Sequence, residues 1–246
     1  MTPQEINVIK RDGTKTPLDL NRVHHIVEHA CKGLAGVSES QVEISSGLQF
    51  FDGIKTSDIQ EILVRSANDL ISLESPNYQY VAARLLLFSL RKAVYGGHPD
   101  HPTPFIEHIT SCIGRKLYDK DILSKYSEEE ITELDKYIDH GRDYLFTYAG
   151  IRQVVDKYLV QDRSTGEVYE TPQLMYMMIA ATLFQDDDKF YRLKYVKRYY
   201  DAISKHKINI PTPIMAGVRT PLRQYASCVL VDVDDSLDSI FSSDMA

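Results

Sequence analysis

The stretch VAARLLLFSLRKAVY, residues 81–95, constrains this chain more than any other. Its spacing predicts a helix whose middle is apolar nearly all round. A helix without a polar face has to be buried on every side, so this one is expected at the centre of the fold. Ser75-Pro76 is expected to open it, because proline is tolerated at the first helical position. Gly96-Gly97 is expected to stop it.

The flanking sequence supplies neighbours for that helix. Residues 6–18, INVIKRDGTKTPL, read as a hairpin turning on Asp12-Gly13, where glycine tolerates positive φ. A helix from Asp19 or Leu20 places Leu20, Val23, Ile26, Val27, Ala30, Cys31 and Leu34 on one stripe, and Gly33 and Gly36 end it. Ser38 and Gln41 predict a capping box for the next helix, with Val42, Ile44 and Leu48 inward. Ser57 and Gln60 predict another, with Ile59, Ile62, Leu63, Ala67, Leu70 and Ile71 inward. A hairpin and four helices thus fill residues 1–96, and the loop GGHPDHPTP marks a boundary.

Residues 97–208 read as a helical domain. Ser127 and Glu130 predict a capping box. KYLVQDRSTGEVYE, residues 157–170, reads as a second hairpin around Thr165-Gly166. Thr171-Pro172 is expected to cap a long apolar helix to Phe184, and Leu193 to His206 reads as another. After Asn209 the prolines of INIPTPIMAGVRTPLRQYASCVLV argue for strand and loop. Residues 209–246 are therefore expected to begin a new domain with one strand. The expected fold class is mainly α.

Composition excludes several classes. The 246 residues carry a net charge of −7, without the basic stripe of a nucleic-acid binder. No apolar run approaches a membrane span, and MTPQEINVIKRDG has no signal-peptide stretch. The 3 cysteines, Cys31, Cys112 and Cys228, are far apart, which predicts neither a zinc site nor a disulfide framework and suits a reducing cytoplasm. His98 and His101 lack a third ligand at usable spacing, and His24 and His25 point to different helix faces, so no metal is expected.

Neither common phosphate cradle, the Walker loop nor GxGxxG, is present. Lys10 on the hairpin, Lys55 and Thr56 at a helix start and Lys92 at a helix end could gather around a phosphate, or could be solvated surface groups. Cys228 could be a redox thiol or a small buried strand residue. Asp235 to Asp238 could meet a ligand or cap a terminal helix.

Two sets of motifs carry a resemblance that decides among these. VIKRDGTKTPLDLNRVHHIV, DGIKTSDIQEIL and YQYVAARLLLFSLRK resemble the ATP-cone, the regulatory nucleotide-binding module at the front of ribonucleotide reductase large subunits. KYLVQDRSTGEVYETPQ, YVKRYYDAIS and PTPIMAGVRTPLRQYASCVLVDVDDSLDSI resemble the class I, aerobic large (α) subunit after its cone, in its enterobacterial and phage form. The resemblance covers residues 5–240. It implies reduction of ribonucleoside diphosphates, and it implies roles position by position. ATP or dATP would lie against Lys10, against Thr16, Pro17, Leu18, Asp19, Leu20, Asn21 and Arg22, and against Thr56 and Lys92. Members inhibited by dATP often carry histidines where Gln60 and Ser89 stand, which implies ATP binding with weak discrimination between ATP and dATP. Substrate would meet Thr212, Ser227 and Cys228. Cys228 would be one of two thiols that give up electrons by forming a disulfide, and neither Cys31 nor Cys112 matches its partner. Asp235, Ser236 and Leu237 would belong to the specificity site for a deoxynucleoside triphosphate.

The family continues into an α/β barrel and works with a small radical-bearing subunit and a thioredoxin- or glutaredoxin-type reductant. This chain alone is expected to bind nucleotide without reducing ribonucleotides. Two readings of the tail stay open: a fragment of a longer chain, or the first half of a split subunit. The edge formed by Val229, Leu230 and Val231 tips the expectation toward the split.

Overall fold

The computed structural model describes residues 6–10, 12–222 and 225–245. Arg11 of the expected turn and Arg223 and Gln224 of the tail motif lie outside them. Strands β1 (Asn7–Ile9) and β2 (Lys15–Pro17) form the expected antiparallel hairpin, pairing Val8 with Thr16. Gly13 takes φ +82°, and its N–H donates to the Lys10 carbonyl at 2.9 Å. A third strand, β3 (Ile54–Lys55), joins β1 in parallel, giving the order β2-β1-β3. Two residues carry too short a pattern to announce a strand. The backbone N–H of Asn7 donating to Asp52 Oδ1 at 2.8 Å helps dock it.

Helices α1 (Leu20–Cys31), α2 (Glu39–Gly47), α3 (Thr56–Asp69) and α4 (Tyr78–Val94) pack under this sheet. Tyr78, Val81, Ala82 and Leu85 of α4 join Val8, Val27, Val42, Ile54 and Leu63 in one core. Ala83, Leu87 and Leu90, on the other side of the same helix, enter a second core. The all-round apolar helix is buried between two cores, as its sequence requires.

The second core surrounds α9 (Pro172–Leu183), whose residues from Pro172 to Ala181 are all buried. Helices α5 (Phe105–Gly114), α6 (Ile122–Lys125), α7 (Glu128–Tyr137), α8 (Tyr148–Lys157) and α10 (Arg192–Ser204) and the 3-10 helix His140–Leu145 enclose it. At the start of α7 both halves of the Ser127–Glu130 capping box form. Glu130 also pairs with Arg192, tying α7 to α10. A buried network crosses between helices: Asp143 pairs with Arg91 at 2.8 Å and accepts from Gln173 at 3.0 Å, and Gln173 accepts from Tyr200 at 2.7 Å.

Several expectations differ from the structure. Thr212–Gly217 is a helix, α11, not strand or loop. Pro211 caps it and Pro213 falls in its first turn, where a missing N–H would have had no intrahelical partner. Residues 225–236 form no strand, since extended chain becomes strand only by pairing. Helix α12 (Leu237–Met245) follows them. The second hairpin reduces to one bridge, Gln161 with Val168. The Ser57–Gln60 box is absent: α3 starts at Thr56, and the Gln60 amide donates to the Leu85 carbonyl at 2.8 Å. Helix α4 begins two residues beyond Pro76. Leu20, Ile44 and Leu48 face outward, because short helices bury only a narrow stripe.

At the Ser38–Gln41 box, Tyr78 completes the return bond. Its hydroxyl accepts from the Ser38 N–H at 2.9 Å and donates to Gln41 Oε1 at 2.6 Å. Tyr78→Phe leaves both groups under-satisfied and should cost about 1–2 kcal/mol in urea unfolding. An unchanged midpoint would show that water replaces the hydroxyl.

Burial lowers His108 and His140 from the ordinary 6.5 to about 4. Both rings stay neutral in the fold where the unfolded chain would protonate, so the unfolded state binds more protons below 6.5. Their contribution to stability should therefore be lost as pH drops from about 6.5 toward 4, read as a falling unfolding free energy in urea titrations across that range. A flat profile would contradict this.

Candidate functional site

The sheet, the start of α1, the start of α3 and the end of α4 enclose a cavity of about 570 Å³. This lies within the usual range for small-molecule sites, about 300–1,000 Å³. The hairpin contributes Lys10, Asp12, Thr16 and Pro17, and the connection to α1 contributes Leu18, Asp19 and Arg22. Thr56, Ser57 and Gln60 come from α3, and Phe88, Ser89 and Lys92 from α4. Val8, Val23, Ile26, Ile59 and Leu63 form the apolar floor.

Three cationic side chains, Lys10, Arg22 and Lys92, line this space. The carboxylates beside them are engaged. Asp12 accepts from the Thr14 N–H at 2.9 Å and its hydroxyl at 2.7 Å, bonds that hold the Asp12 carboxyl below its usual range. Asp19 caps α1 by accepting from the Arg22 N–H at 3.2 Å. Helix α3 presents its first turn to the cavity with no side-chain cap, so its first-turn N–H groups add positive potential there. An apolar floor with a cationic rim suits an anion carrying a flat apolar group. Of the residues expected at a nucleotide, the fold brings together Lys10, Thr16, Pro17, Leu18, Asp19, Arg22, Thr56 and Lys92. Leu20 and Asn21 do not line the cavity. Gln60 and Ser89 do, and they also border a neighbouring cavity of about 340 Å³ toward α8.

The tail residues are placed differently. Thr212 opens α11 and borders a separate cavity of about 750 Å³ with Tyr158, His206 and Asn209. Its Oγ1 lies 3.3 Å from the Tyr158 hydroxyl. Ser227 and Cys228 are exposed and do not line that cavity. Cys228 is thus not the buried strand residue that is one reading of its sequence. Asp235 and Ser236 precede α12 and Leu237 begins it. Ser236 caps that helix, its hydroxyl accepting from the Ser239 N–H at 3.2 Å. Among the described residues, no three histidines, cysteines or carboxylates come together as a metal site.

Sequence reasoning missed Tyr158 and the pair behind it. Arg219 and Glu170 form a buried ion pair, and Tyr118 donates to the same carboxylate at 2.5 Å. The partners of this pair are 49 residues apart, so no local pattern reveals them.

Residues 6–93 match the family described as the ATP cone domain, and residues 144–223 match the family described as ribonucleotide reductase, all-alpha domain. The ribonucleoside-diphosphate reductase 1 subunit alpha of Escherichia coli (strain K12) is 49% identical over 243 residues, 99% of this chain and 32% of that protein. The subunit alpha of Haemophilus influenzae is 51% identical over 237 residues, 96% of this chain and 31% of that protein. That of Enterobacteria phage T4 is 47% identical over 239 residues, with 96% and 31% covered. The chain spans about a third of the length of these relatives.

Burial pushes the Cys31 thiol up to about 11 and the Cys112 thiol up to about 12, whereas Cys228 is exposed. A thiol reagent at pH 8 should therefore modify one cysteine of the native chain rapidly, and Cys228→Ser should remove that phase. Rapid labelling of two or three thiols would contradict the burial.

Proposed function

Because the chain belongs to the ribonucleoside-diphosphate reductase α-subunit family, we propose that it is the nucleotide-sensing and substrate-edge portion of such an enzyme. In this reading, residues 1–96 form the regulatory cone, residues 97–208 a helical domain, and residues 209–246 the beginning of the catalytic barrel. The whole enzyme reduces ribonucleoside diphosphates to deoxyribonucleotides in the cytoplasm. This chain does so only with the rest of the α subunit and a small radical-bearing subunit.

The cone cavity takes ATP or dATP. The observation that carries this reading is the convergence of Lys10, Arg22 and Lys92 on one cavity whose carboxylates are already engaged. The ammonium and guanidinium groups neutralise a triphosphate, the open start of α3 adds N–H donors, and the apolar floor takes the base.

At the tail, Thr212, Ser227 and Cys228 contact the substrate. Cys228 and a second thiol elsewhere in the subunit lose two electrons and two protons and form a disulfide, which a thioredoxin- or glutaredoxin-type protein reduces again. Asp235, Ser236 and Leu237 contribute to a second effector site for a deoxynucleoside triphosphate. There Asp235 accepts a hydrogen bond from sugar or amide, because a carboxylate repels a triphosphate.

A second reading, a nucleotide-binding module without chemistry of its own, draws on the separation of Ser227 and Cys228 from the Thr212 cavity. Turnover after mixing with the remainder of the α subunit and the radical-bearing subunit separates the two. Its loss in Cys228→Ser, with ATP binding intact, favours the enzyme reading.

Titration calorimetry tests the cone directly. The chain should bind one ATP, and Lys10→Ala and Lys92→Ala should each weaken it by about tenfold or more, as for removal of one charge-assisted contact. With glutamine at 60 and serine at 89, ATP and dATP affinities should agree within about tenfold, a gap of about 1.4 kcal/mol. No ATP binding would overturn the cone assignment, and a large dATP preference would overturn the role given to these two positions.

A further inference from the structure

Thr212 is an exposed residue whose hydroxyl could rotate freely, yet its surroundings fix it. Tyr158 Oη lies 3.3 Å from Thr212 Oγ1. Tyr158 sits at the end of α8 and Thr212 at the start of α11, 54 residues later. Arg219 holds these two segments at one spacing. Its Nη2 donates to the Tyr158 carbonyl at 2.8 Å, and its Nη1 donates to the Met215 carbonyl within α11. Its Nε and Nη2 fork onto Glu170, at 3.0 Å for Nε, with both side chains fully buried. Glu170 is itself fixed by the Tyr118 hydroxyl and by the Val160 N–H at 2.6 Å. A planar guanidinium with this many partners cannot shift without breaking several bonds together.

The direction of the hydroxyl bond decides what Thr212 can offer a ligand. Gln153 Nε2 donates toward the Tyr158 oxygen at 3.5 Å, a long bond that uses one of the two acceptor lone pairs of the phenol. Either hydroxyl can donate across this 3.3 Å contact, and the arrangement with the phenol donating to Thr212 Oγ1 is the one that frees the Thr212 hydrogen. A hydroxyl has one hydrogen. If the Thr212 oxygen accepts from Tyr158, its own hydrogen points away, free for an acceptor-only ligand such as a phosphate oxygen.

We propose that Tyr158, fixed by Arg219 and Glu170, is a positioning residue: it donates to Thr212 and aims the Thr212 hydrogen at a phosphate oxygen of the substrate. Successive hydrogen bonds in one direction polarise each other, so the Thr212 donor gains strength from the phenol behind it. The proposal rests on the reading that Thr212 contacts substrate.

Steady-state kinetics of the complete α subunit with its radical-bearing subunit tests it, with a ribonucleoside diphosphate as the varied substrate. The variants are Tyr158→Phe, Thr212→Val and the double substitution. Tyr158→Phe keeps the ring and removes only the hydroxyl at a partly exposed position. It should raise KM by about fivefold, the value of one neutral hydrogen bond, with kcat and ATP affinity at the cone unchanged. The double variant should be no worse than Thr212→Val alone, because both substitutions break one chain of bonds. An unchanged KM in Tyr158→Phe beside a raised KM in Thr212→Val would overturn the positioning role alone. Multiplicative effects in the double variant would do the same. An unchanged KM in Thr212→Val would overturn the substrate reading, and the positioning role with it.

Discussion

The helix Tyr78–Val94 has no face that belongs in water, and much of the structure follows from that constraint. One helix must satisfy two cores. Leu85 faces the first and Leu87 the second, and neither retains exposed surface. Burying each such side chain contributes about 1.5–3 kcal/mol, so the helix cannot be pulled from either core cheaply. Its polar residues are spent at the joint. Arg84 donates to the Ala30 and Lys32 carbonyls at the end of α1 and lies 5.2 Å from the centre of the Tyr144 ring. Arg91 lies equally near that ring, at 5.2 Å, and pairs with buried Asp143. The same helix lines the cone cavity with Phe88, Ser89 and Lys92. Lys92, on that cavity, directly follows Arg91, which is locked into the second core.

Charge explains how a chain of net −7 can offer an anion site. The sum over the molecule matters at long range, and local groups decide within a few ångströms. In the cone cavity the negative groups have been turned to backbone duty. Asp12 closes the hairpin turn and Asp19 starts α1, while Lys10, Arg22 and Lys92 line the same space. The acidic residues thus build the turn and the cap that bring the cations together.

What could be read in the sequence divides by range. The Asp12-Gly13 turn, the Ser127–Glu130 box and the apolar stripe of α4 are local patterns, and they formed. Ser57–Gln60 carries the same local signature and did not form, because the chain around Lys55 pairs as β3 and the Gln60 amide reaches a carbonyl 25 residues away. Thr212–Gly217 was concealed by prolines that suit the first turn of a helix as well as they suit a loop. The cone cavity was partly legible, since its lysines mark element ends in one small unit. Leu20 and Asn21 fell outside it because a contiguous run entering a helix turns successive side chains to different faces. Tyr158, Glu170 and Arg219 were illegible: a tyrosine, a glutamate and an arginine in ordinary contexts meet only through the tertiary fold.

The two cavities are consequently built in different ways. The cone cavity lies within residues 8–92 and depends on secondary structure that its own sequence specifies. The setting of Thr212 depends on a buried ion pair between residues 49 apart. Such a pair is a poor stabilising device, because removing two charges from water costs about as much as their attraction returns, and apolar replacements are often as stable. What it supplies is geometry. Glu170 and Arg219 bind the end of α8, the start of the Val160 segment and α11 through directional bonds that an apolar pair could not make. Stability in this region already comes from the packing around α9, where every residue from Pro172 to Ala181 is buried. The ion pair adds a fixed distance between Tyr158 and Thr212, which packing of flexible apolar side chains alone would leave free to vary.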